Sequence, residues 1–303
     1  MNTVVFMGSS EFSVPILEML YSNYDLLGVI TQADKKAGRG NQLRMTPVRQ
    51  YCLENNIKNI QISSLKTNTI LYILNKWNPE IIIVAAFGLI LPQTVLELPV
   101  KGCLNVHASL LPRWRGATPI QTAILNGDKI SGVTIIKMDT GIDTGPILAQ
   151  SSTPLFGDET CKDLLKKLSI LGANLLLDTL PKYLKSEIQP TEQNEKYASY
   201  AKIFHKEDGL IKFSDSIKTI ENKVRAYYPW PGTYIYWRSK RIKLIKISTF
   251  KDKLLNPGKF GDIKGFPMFG AIDGIVLIEE LQLEGKKPMK GDEFLRGVKD
   301  WSA

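Results

Sequence analysis

Two polar side chains, Asn105 and His107, end a short apolar segment at residues 102–107. In a β-strand, residues two apart point to the same face, so the amide and the imidazole would project side by side. An amide N–H can stabilise the oxyanion of a tetrahedral intermediate. An imidazole can accept or donate a proton near neutral pH. This pair of residue types is suited to acyl transfer.

A nearby loop adds two carboxylates, Asp139 and Asp143, after the apolar segment 133–138. A carboxylate can orient an imidazole or help relay its proton. In open parallel sheets, ligands bind beyond the carboxyl ends of the strands, and we expect this loop and His107 to share that edge. Gly-Asp-Thr runs also form ordinary turns. From spacing alone, a turn role for Asp143 and a structural role for His107 stay open.

The residue types around this pair favour direct attack by an external amine, because no serine or cysteine is placed as an obvious nucleophile. An α-amino group has a reference pKa of about 8, so the demand on a base is moderate. The chain has three cysteines, Cys52, Cys103 and Cys161, far apart in sequence, and two histidines. These numbers and spacings argue against a zinc site and a disulfide framework. We therefore expect no metal.

The elements that would position these side chains alternate between short runs rich in Val and Ile and amphipathic helical segments. The predicted strands are 3–7, 26–31, 80–86, 102–107 and 133–138, and the predicted helices are 14–21, 47–55, 64–77 and 159–185. Thr46 before Pro47 is typical of a helix N-cap. This alternation predicts an α/β fold with a doubly wound, mostly parallel, Rossmann-like sheet.

A different pattern follows residue 189. Residues 190–205 are polar and lack a core pattern, which indicates a linker. Short strand-like runs broken by Gly and Pro come next, at 233–237, 242–248, 271–272 and 275–283. They predict a small C-terminal β-barrel of the OB type. We expect a catalytic domain at 1–189, a linker at 190–205 and a C-terminal domain at 206–303.

The charge distribution favours a polyanionic partner. The net charge is +9, and the pI is near 9.2. The excess is denser in the last third, where residues 206–303 hold 19 Lys and Arg against 13 Asp and Glu. No apolar stretch reaches the ~18–20 residues that cross a bilayer, and the first strand begins too early for a leader peptide. We expect a cytoplasmic protein.

Two blocks of the sequence carry a family resemblance. Residues 105–116, Asn-Val-His-Ala-Ser-Leu-Leu-Pro-Arg-Trp-Arg-Gly, resemble the signature of the 10-formyltetrahydrofolate-dependent formyltransferases, and residues 139–145 resemble their second block. The resemblance implies a catalytic trio of Asn105, His107 and Asp143. It implies 10-formyltetrahydrofolate as the formyl donor. The implied folate contacts are Phe87, Gly88, Leu89, Ser109, Leu110, Leu111 and Pro112.

Three further segments resemble the branch of that family that formylates methionyl-tRNA. Residues 31–40 resemble its mobile insertion, which reaches the acceptor end of tRNA, and residues 224–232 and 281–289 resemble blocks of its C-terminal domain. The resemblance implies initiator methionyl-tRNA as the acceptor and favours a monomer. One departure is that Ser9 and Ser10 stand where the family usually has Thr-Pro.

The expected tRNA contacts are basic residues, from the insertion and from the C-terminal domain. Lysines that alternate along a strand project onto one face, which can follow a phosphate backbone. A charged run taken alone is more often a solvated surface. The residues expected to contact tRNA are Lys36, Arg39, Arg44, Lys206, Arg238, Lys240, Lys243 and Lys246.

Other functions stay open at this stage. A nucleotide-sugar formyltransferase shares the trio and the two-domain layout but generally lacks the Gly-Arg-Gly insertion. A folate hydrolase, in which water replaces the amine, usually belongs to a longer chain or has another accessory domain. A tRNA-binding module without activity would not need Asn105, His107 and Asp143. Two roles for His107 also stay open, stabilising the oxyanion as imidazolium or accepting the amine proton.

Overall fold

The computed structural model describes residues 2–37, 42–65, 67–251, 255–298 and 300–302. The strands are β1 Thr3–Gly8, β2 Asp25–Gln32, β3 Lys35–Ala37, β4 Gln42–Arg44, β5 Asn59–Ile62, β6 Ile81–Ala85, β7 Cys103–His107, β8 Arg115–Gly116, β9 Ile130–Lys137, β10 Ile147–Pro154, β11 Tyr200–Ala201, β12 Thr233–Trp237, β13 Lys240–Phe250, β14 Phe260–Ile263, β15 Phe266–Ala271, β16 Gly274–Leu283 and β17 Met289–Lys290. The α-helices are α1 Val14–Asn23, α2 Pro47–Glu54, α3 Asn68–Trp77, α4 Gln93–Leu96, α5 Pro119–Leu125, α6 Cys161–Leu184, α7 Ile217–Ala226 and α8 Gly291–Arg296.

The chain divides into two compact units. The first comprises residues 1–119, 130–154 and 165–201, and the second comprises residues 120–129, 155–164 and 202–303. Within the stretch predicted as a linker, β11 pairs with β8 in the first unit. The polar side chains of this stretch form hydrogen bonds there instead of apolar contacts, which is why it shows no core pattern. The domain boundaries proposed from the sequence stay a prediction.

The first unit is built on a seven-stranded sheet in the order β10-β9-β7-β6-β1-β2-β5. The neighbours from β7 to β5 pair in parallel, whereas β9 pairs antiparallel with both β7 and β10. The central strands are buried on both faces, which explains their continuous Val and Ile runs. The predicted mostly parallel α/β sheet is confirmed.

Helices cover both faces of this sheet. On one face, Met7 and Ile82 belong to a buried cluster with Leu74 of α3 and Val95 of α4. On the other face, Gly172 of α6 lies so close to Val106 and Val133 that an added Cβ would be 2.9 Å from the Val106 Cγ1 atom. Thr46 is the N-cap of α2, where its Oγ1 accepts a hydrogen bond from Arg49 N at 3.1 Å, as predicted.

The second unit contains a six-stranded antiparallel sheet. Its strands follow the order β12-β13-β16-β15-β14, with β17 paired to β16. Ile220 of α7 and Phe294 of α8 pack in the same apolar core as Ile242, Leu244 and Ile278 of the sheet. The predicted strands at 233–237, 242–248 and 275–283 are confirmed. Closure of this sheet into an OB-type barrel stays a prediction.

Some elements differ from the prediction. The strand expected at 271–272 is β15, which ends at Ala271 and begins at Phe266. The first part of β15 was not predicted because it contains Pro267 and Gly270, and both residue types are rare inside strands. Helix α7 was missed although its apolar side chains recur at helical spacing and Ser216 caps it. In the described part of the chain, no helix combines the length and apolar character needed to span a membrane.

Candidate active site

Asn105 and His107 lie on β7, and Asp143 lies in the loop between β9 and β10. The Asn105 Nδ2 donates a hydrogen bond to Asp143 Oδ1 at 3.1 Å. The His107 Nδ1 lies 3.5 Å from Asp143 Oδ2, and the histidine is buried, with 6% of its surface exposed. The structure therefore brings together the three side chains singled out in the sequence.

The route of the chain to this arrangement differs from the expected one. Strand β9 runs antiparallel to β7, so that Lys137 near its end pairs with Leu104 and Thr134 pairs with His107. The expectation that the Asp143 loop follows a strand end at the same edge as His107 is wrong. Instead, the loop returns towards β10, and Asp143 reaches Asn105 during this return.

Asp139 is the residue that shapes the turn. Its Oδ1 accepts hydrogen bonds from Gly141 N at 3.0 Å and from the Thr144 hydroxyl at 2.7 Å. Gly145 passes so close to the Lys137 carbonyl oxygen that any Cβ would collide with it. Asp143 has φ of 54°, a left-handed conformation that aspartate tolerates better than most residues. Because Asp139 makes the hydrogen bonds within the turn, the Asp143 carboxylate is available for contacts outside it.

The Asp143 carboxylate and the His107 ring are enclosed by backbone groups of one loop. Gly116 N donates to Asp143 Oδ2 at 2.9 Å. His107 Nε2 is 3.0 Å from the Trp114 carbonyl oxygen, which can only accept, so Nε2 carries a proton. The other ring nitrogen faces a carboxylate, which accepts as well when ionised. The ring can donate to both partners only as imidazolium.

The first expected folate segment, residues 109–112, has a backbone held from the sheet. The Thr134 hydroxyl donates to Ser109 O at 2.7 Å and accepts from Leu111 N at 3.0 Å. The Gln150 side chain donates to Leu111 O at 2.8 Å. Ser109 and Leu111 are buried, whereas Leu110 and Pro112 are half-buried. The latter two side chains are therefore the accessible ones in this segment.

The second expected folate segment contains Phe87, Gly88 and Leu89. The Phe87 carbonyl accepts hydrogen bonds from the Ser9 hydroxyl at 3.2 Å and from Gln32 Nε2 at 2.7 Å. Phe87 is buried, Leu89 is half-buried and Gly88 is exposed. Gly88 has φ of 75°, and an added Cβ would collide with the Gln32 amide. Ser9, the departure from the family pattern, thus anchors this segment directly.

The cysteines show the properties of structural residues. All three are free and buried. Burial raises the pKa of Cys52 to about 11 and the pKa values of Cys103 and Cys161 to about 12. Because the thiolate is the reactive form, these thiols are poor nucleophiles at neutral pH. Among the described residues, no group of three or more His, Cys, Asp or Glu side chains could hold a metal ion.

The insertion expected to meet tRNA is only partly described. Arg39 lies outside the described residues, and the same holds for the side chain of Lys36. Arg44 is exposed on β4, where it pairs with Lys35 of β3.

The basic residues of the second unit differ in their surroundings. Lys206 and Lys240 are exposed. Arg238 lies 3.4 Å from Asp300, and Lys246 forms an ion pair with Glu279 at 2.7 Å. Lys243 has a lowered pKa, because burial disfavours its charge and Arg241 lies nearby. Lys240 and Lys243, both expected to contact tRNA, do not share a face, since residues three apart in a strand point to opposite sides.

The residue that shares a face with Lys243 is Arg241. Ile242 lies between these two residues and Leu244 follows them, and both of these apolar side chains point into the core. The pairing of β12 with β13 places Tyr236 opposite Arg241 and Tyr234 opposite Lys243. The Arg241 guanidinium lies 3.9 Å from the centre of the Tyr234 ring. These aromatic partners do not follow from the charge pattern, because Tyr234 and Tyr236 belong to the neighbouring strand.

Sequence reasoning also missed a group behind the trio. Arg115 lies in the signature block without an expected role, and Gln193 and Glu195 lie in the stretch predicted as a linker. Arg115 is fully buried and contacts both of these side chains. The available signal was the arginine itself, because a charged side chain in a structured loop requires partners when buried.

Comparison with known protein families gives a match for the N-terminal segment of the chain and another for its C-terminal segment. Residues 1–180 match the family model described as formyl transferase, and residues 203–299 match the model of the formyl transferase C-terminal domain.

Two relatives match over nearly the whole chain. The methionyl-tRNA formyltransferase of Pseudoalteromonas translucida is 39% identical over 303 residues, covering 98% of this chain and 94% of the relative. That of Syntrophus aciditrophicus is 40% identical over 302 residues, covering 98% and 96%.

One solved structure with a similar fold is an N-formyltransferase from Helicobacter canadensis in complex with folinic acid and dTDP-3-aminofucose. It aligns with a TM-score of 0.65 and 22% identity, covering 92% of this chain and 99% of that one. At this identity the likeness concerns the fold.

Proposed function

Because this chain belongs to the formyl transferase family, we propose that it transfers the formyl group of 10-formyltetrahydrofolate to the α-amino group of methionine carried by initiator tRNA. It is an enzyme of formyl transfer, and methionyl-tRNA formylation is the activity for which its relatives at 39% and 40% identity are named. The observation that carries the proposal is the cluster of Asn105, His107 and Asp143, which joins an amide, an imidazole and a carboxylate.

The donor is proposed to bind beside residues 87–89 and 109–112. Support comes from the family match and from the folinic acid bound by the Helicobacter canadensis enzyme. Both segments have their carbonyls tied by side chains of the sheet, so they offer a rigid surface to a flat ligand. The 10-formyl isomer suits direct transfer, because its leaving group is an arylamine nitrogen with a delocalised lone pair.

Asn105 is proposed to stabilise the tetrahedral intermediate. Its side-chain amide has two N–H bonds. One is directed to Asp143, and the second can donate to the formyl oxygen as that oxygen becomes negative. The methionine nitrogen forms a bond to the formyl carbon, the bond from that carbon to N10 breaks, and one proton passes from the methionine nitrogen to N10.

His107 is proposed to act as imidazolium beside the developing oxyanion. Its Nε2 donates to Trp114 O, and its Nδ1 faces Asp143. With Nε2 donating to Trp114 O, only Nδ1 of a neutral ring could accept the amine proton, and Nδ1 faces the Asp143 carboxylate instead, which favours electrostatic stabilisation over general-base catalysis. Asp143 holds the ring in place and balances its charge.

The proposal is tested with labelled 10-formyltetrahydrofolate and two acceptors, charged initiator methionyl-tRNA and a 4-amino-4-deoxy sugar nucleotide. The parent should formylate only methionyl-tRNA, and His107→Ala should lose that activity. His205→Ala is the matched control, since His205 is exposed and far along the chain from the trio. Formylation of the sugar alone would transfer the assignment to the nucleotide-sugar enzymes.

The face of β12 and β13 that carries Arg241, Lys243 and Tyr236 is proposed to contact tRNA. Tyr236 is half exposed beside the two cations, an arrangement that suits a phosphate backbone with an unpaired base. Replacing Arg241 and Lys243 together by alanine should weaken tRNA binding about tenfold and lower the slope of log Kd against log salt by about 1–2. Filter binding at several salt concentrations measures both quantities.

The matched control for this surface also removes two charges, through Lys240→Ala with Lys246→Ala. Lys246 is already engaged by Glu279, and Lys240 points away from the Arg241 side. We expect a loss of affinity below about threefold for this pair, because charges already paired or remote add little. Folate affinity should be unchanged in both double variants. Equal losses of tRNA affinity in the two double variants would contradict the proposed tRNA-binding face.

A further inference from the structure

Arg115 is completely buried in the first unit, and among the residues that the structure describes it is the largest with no exposed surface. Its guanidinium contacts Gln193, Glu195 and the Tyr200 side chain. Nε and Nη2 donate to Gln193 Oε1 at 3.0 and 2.8 Å, and Nη1 and Nη2 donate to the two Glu195 carboxylate oxygens at 2.9 and 2.7 Å. This bidentate contact lowers the pKa of Glu195 and raises that of Arg115. The arginine is therefore held in one orientation.

The backbone on both sides of Arg115 contacts the catalytic trio. The preceding carbonyl, Trp114 O, accepts from His107 Nε2. The following amide, Gly116 N, donates to the Asp143 carboxylate. The strand pairing of Arg115 with Tyr200 and the hydrogen bond from Arg115 N to Ser199 O at 2.8 Å hold this backbone further. A shift of Arg115 would move both contacts together.

Gln193 connects this loop to the loop that carries Asp143. While its Oε1 accepts from Arg115, its Nε2 donates to the carbonyl oxygens of Asp143 at 2.8 Å and Gly145 at 2.7 Å. A glutamine amide has two N–H donors, and both are used here. One side chain thus joins the backbone that holds His107 to the backbone that carries Asp143.

We propose that Gln193, supported by Arg115 and Glu195, is a positioning residue that sets the distance between His107 and Asp143 for catalysis. This inference rests on the proposed formyl transfer. Gln193 touches neither trio side chain, so it acts through Trp114, Gly116 and the Asp143 backbone. A misplacement of catalytic groups by about 1 Å can cost about 10²-fold in rate. The segment 190–201 therefore contributes to the site as well as to the fold.

The test is Gln193→Glu, which keeps the size of the side chain and the contact with Arg115. The new carboxylate oxygen would face the carbonyls of Asp143 and Gly145 and repel both. We expect kcat for methionyl-tRNA formylation to fall about 30–100-fold, with KM for folate and for tRNA within about threefold. Gln50→Glu is the matched control, because Gln50 is exposed on α2 and its side chain donates a hydrogen bond to Glu54, away from the trio.

The outcomes separate this inference from the proposed function. A parent that does not formylate methionyl-tRNA would contradict the function itself. An active parent with Gln193→Glu at the parental kcat would overturn the positioning role. If Gln193→Glu lowers Tm so far that it does not fold, Gln193→Asn replaces it, since an amide one methylene shorter cannot span both loops. A loss of kcat beyond about tenfold in that variant supports the role, and parental kcat overturns it.

Discussion

Asp143→Asn is expected to lower kcat for methionyl-tRNA formylation by about 10³–10⁴-fold, as the loss of a carboxylate beside a catalytic histidine does elsewhere. The Asp143 carboxylate accepts from Asn105 Nδ2 and Gly116 N and faces His107 Nδ1. An amide offers one acceptor atom and one donor atom, so in either orientation its N–H groups oppose one of these donors. If His107 acts as imidazolium, as proposed, its ring also loses its counter-charge. Single-turnover kinetics with saturating folate and tRNA measure the effect.

The matched control for this variant is Asp139→Asn. Asp139 uses a single carboxylate oxygen, Oδ1, for Gly141 N and the Thr144 hydroxyl. An asparagine oxygen can accept both bonds, so the turn should survive and kcat should stay within about threefold. Equal losses in the two variants would indicate damage to the loop, and near-parental activity in Asp143→Asn would exclude a catalytic role for its charge.

Asn105→Ala is expected to lower kcat by about 10²–10³-fold, the usual loss when one oxyanion donor is removed. The alanine retains the strand, because Asn105 pairs through its backbone with β6 and β9. KM for folate should change little, because the donated hydrogen bond strengthens only as the formyl oxygen gains charge. Quench-flow measurement of the transfer step separates this loss from product release.

Two comparisons make the Asn105 result interpretable. Asn75→Ala removes an exposed amide that donates to Leu71 O within α3, and it should behave like the parent. The double variant Asn105→Ala with Asp143→Asn should lose less than the product of the single losses, because the two side chains act as a unit. Full additivity would contradict a shared function for the pair.

Much of the first unit was predictable because its strands are buried on both faces. Apolar runs rich in Val and Ile marked β1 and β6, and Thr46 with Pro47 marked the start of α2. The direction of β9 was not predictable. Its sequence shows that it is buried, but direction depends on which neighbour it pairs with, and that is a property of the tertiary fold.

The site was predictable to the extent that its residues are close in sequence or match a family block. Asn105 and His107 follow from alternation along one strand, and Asp143 from the resemblance. The contacts of Arg115 with Gln193 and Glu195 span 78 and 80 residues. No periodic pattern links positions so far apart. The polar side chains of residues 190–205 that form these contacts also give the segment the composition of a linker.

The same limit applied to the second unit. Charge density drew attention to β13, but side-chain direction depends on where the strand begins. Because Ile242 and Leu244 are buried, Arg241 and Lys243 form the outward pair, and Lys240 does not join them. Counting alternation from the first buried residue, rather than from the first charge, would have identified this pair.

The most direct test of the account follows a labelled formyl carbon from 10-formyltetrahydrofolate through a single turnover with the parent enzyme and methionyl-tRNA. We expect the label to pass to the methionine α-amino nitrogen in one phase, with none on the protein at any time and little released as formate. Label on the protein would contradict direct attack by the amine. Release of the label as formate in place of formyl-methionyl-tRNA would contradict the proposed transferase function.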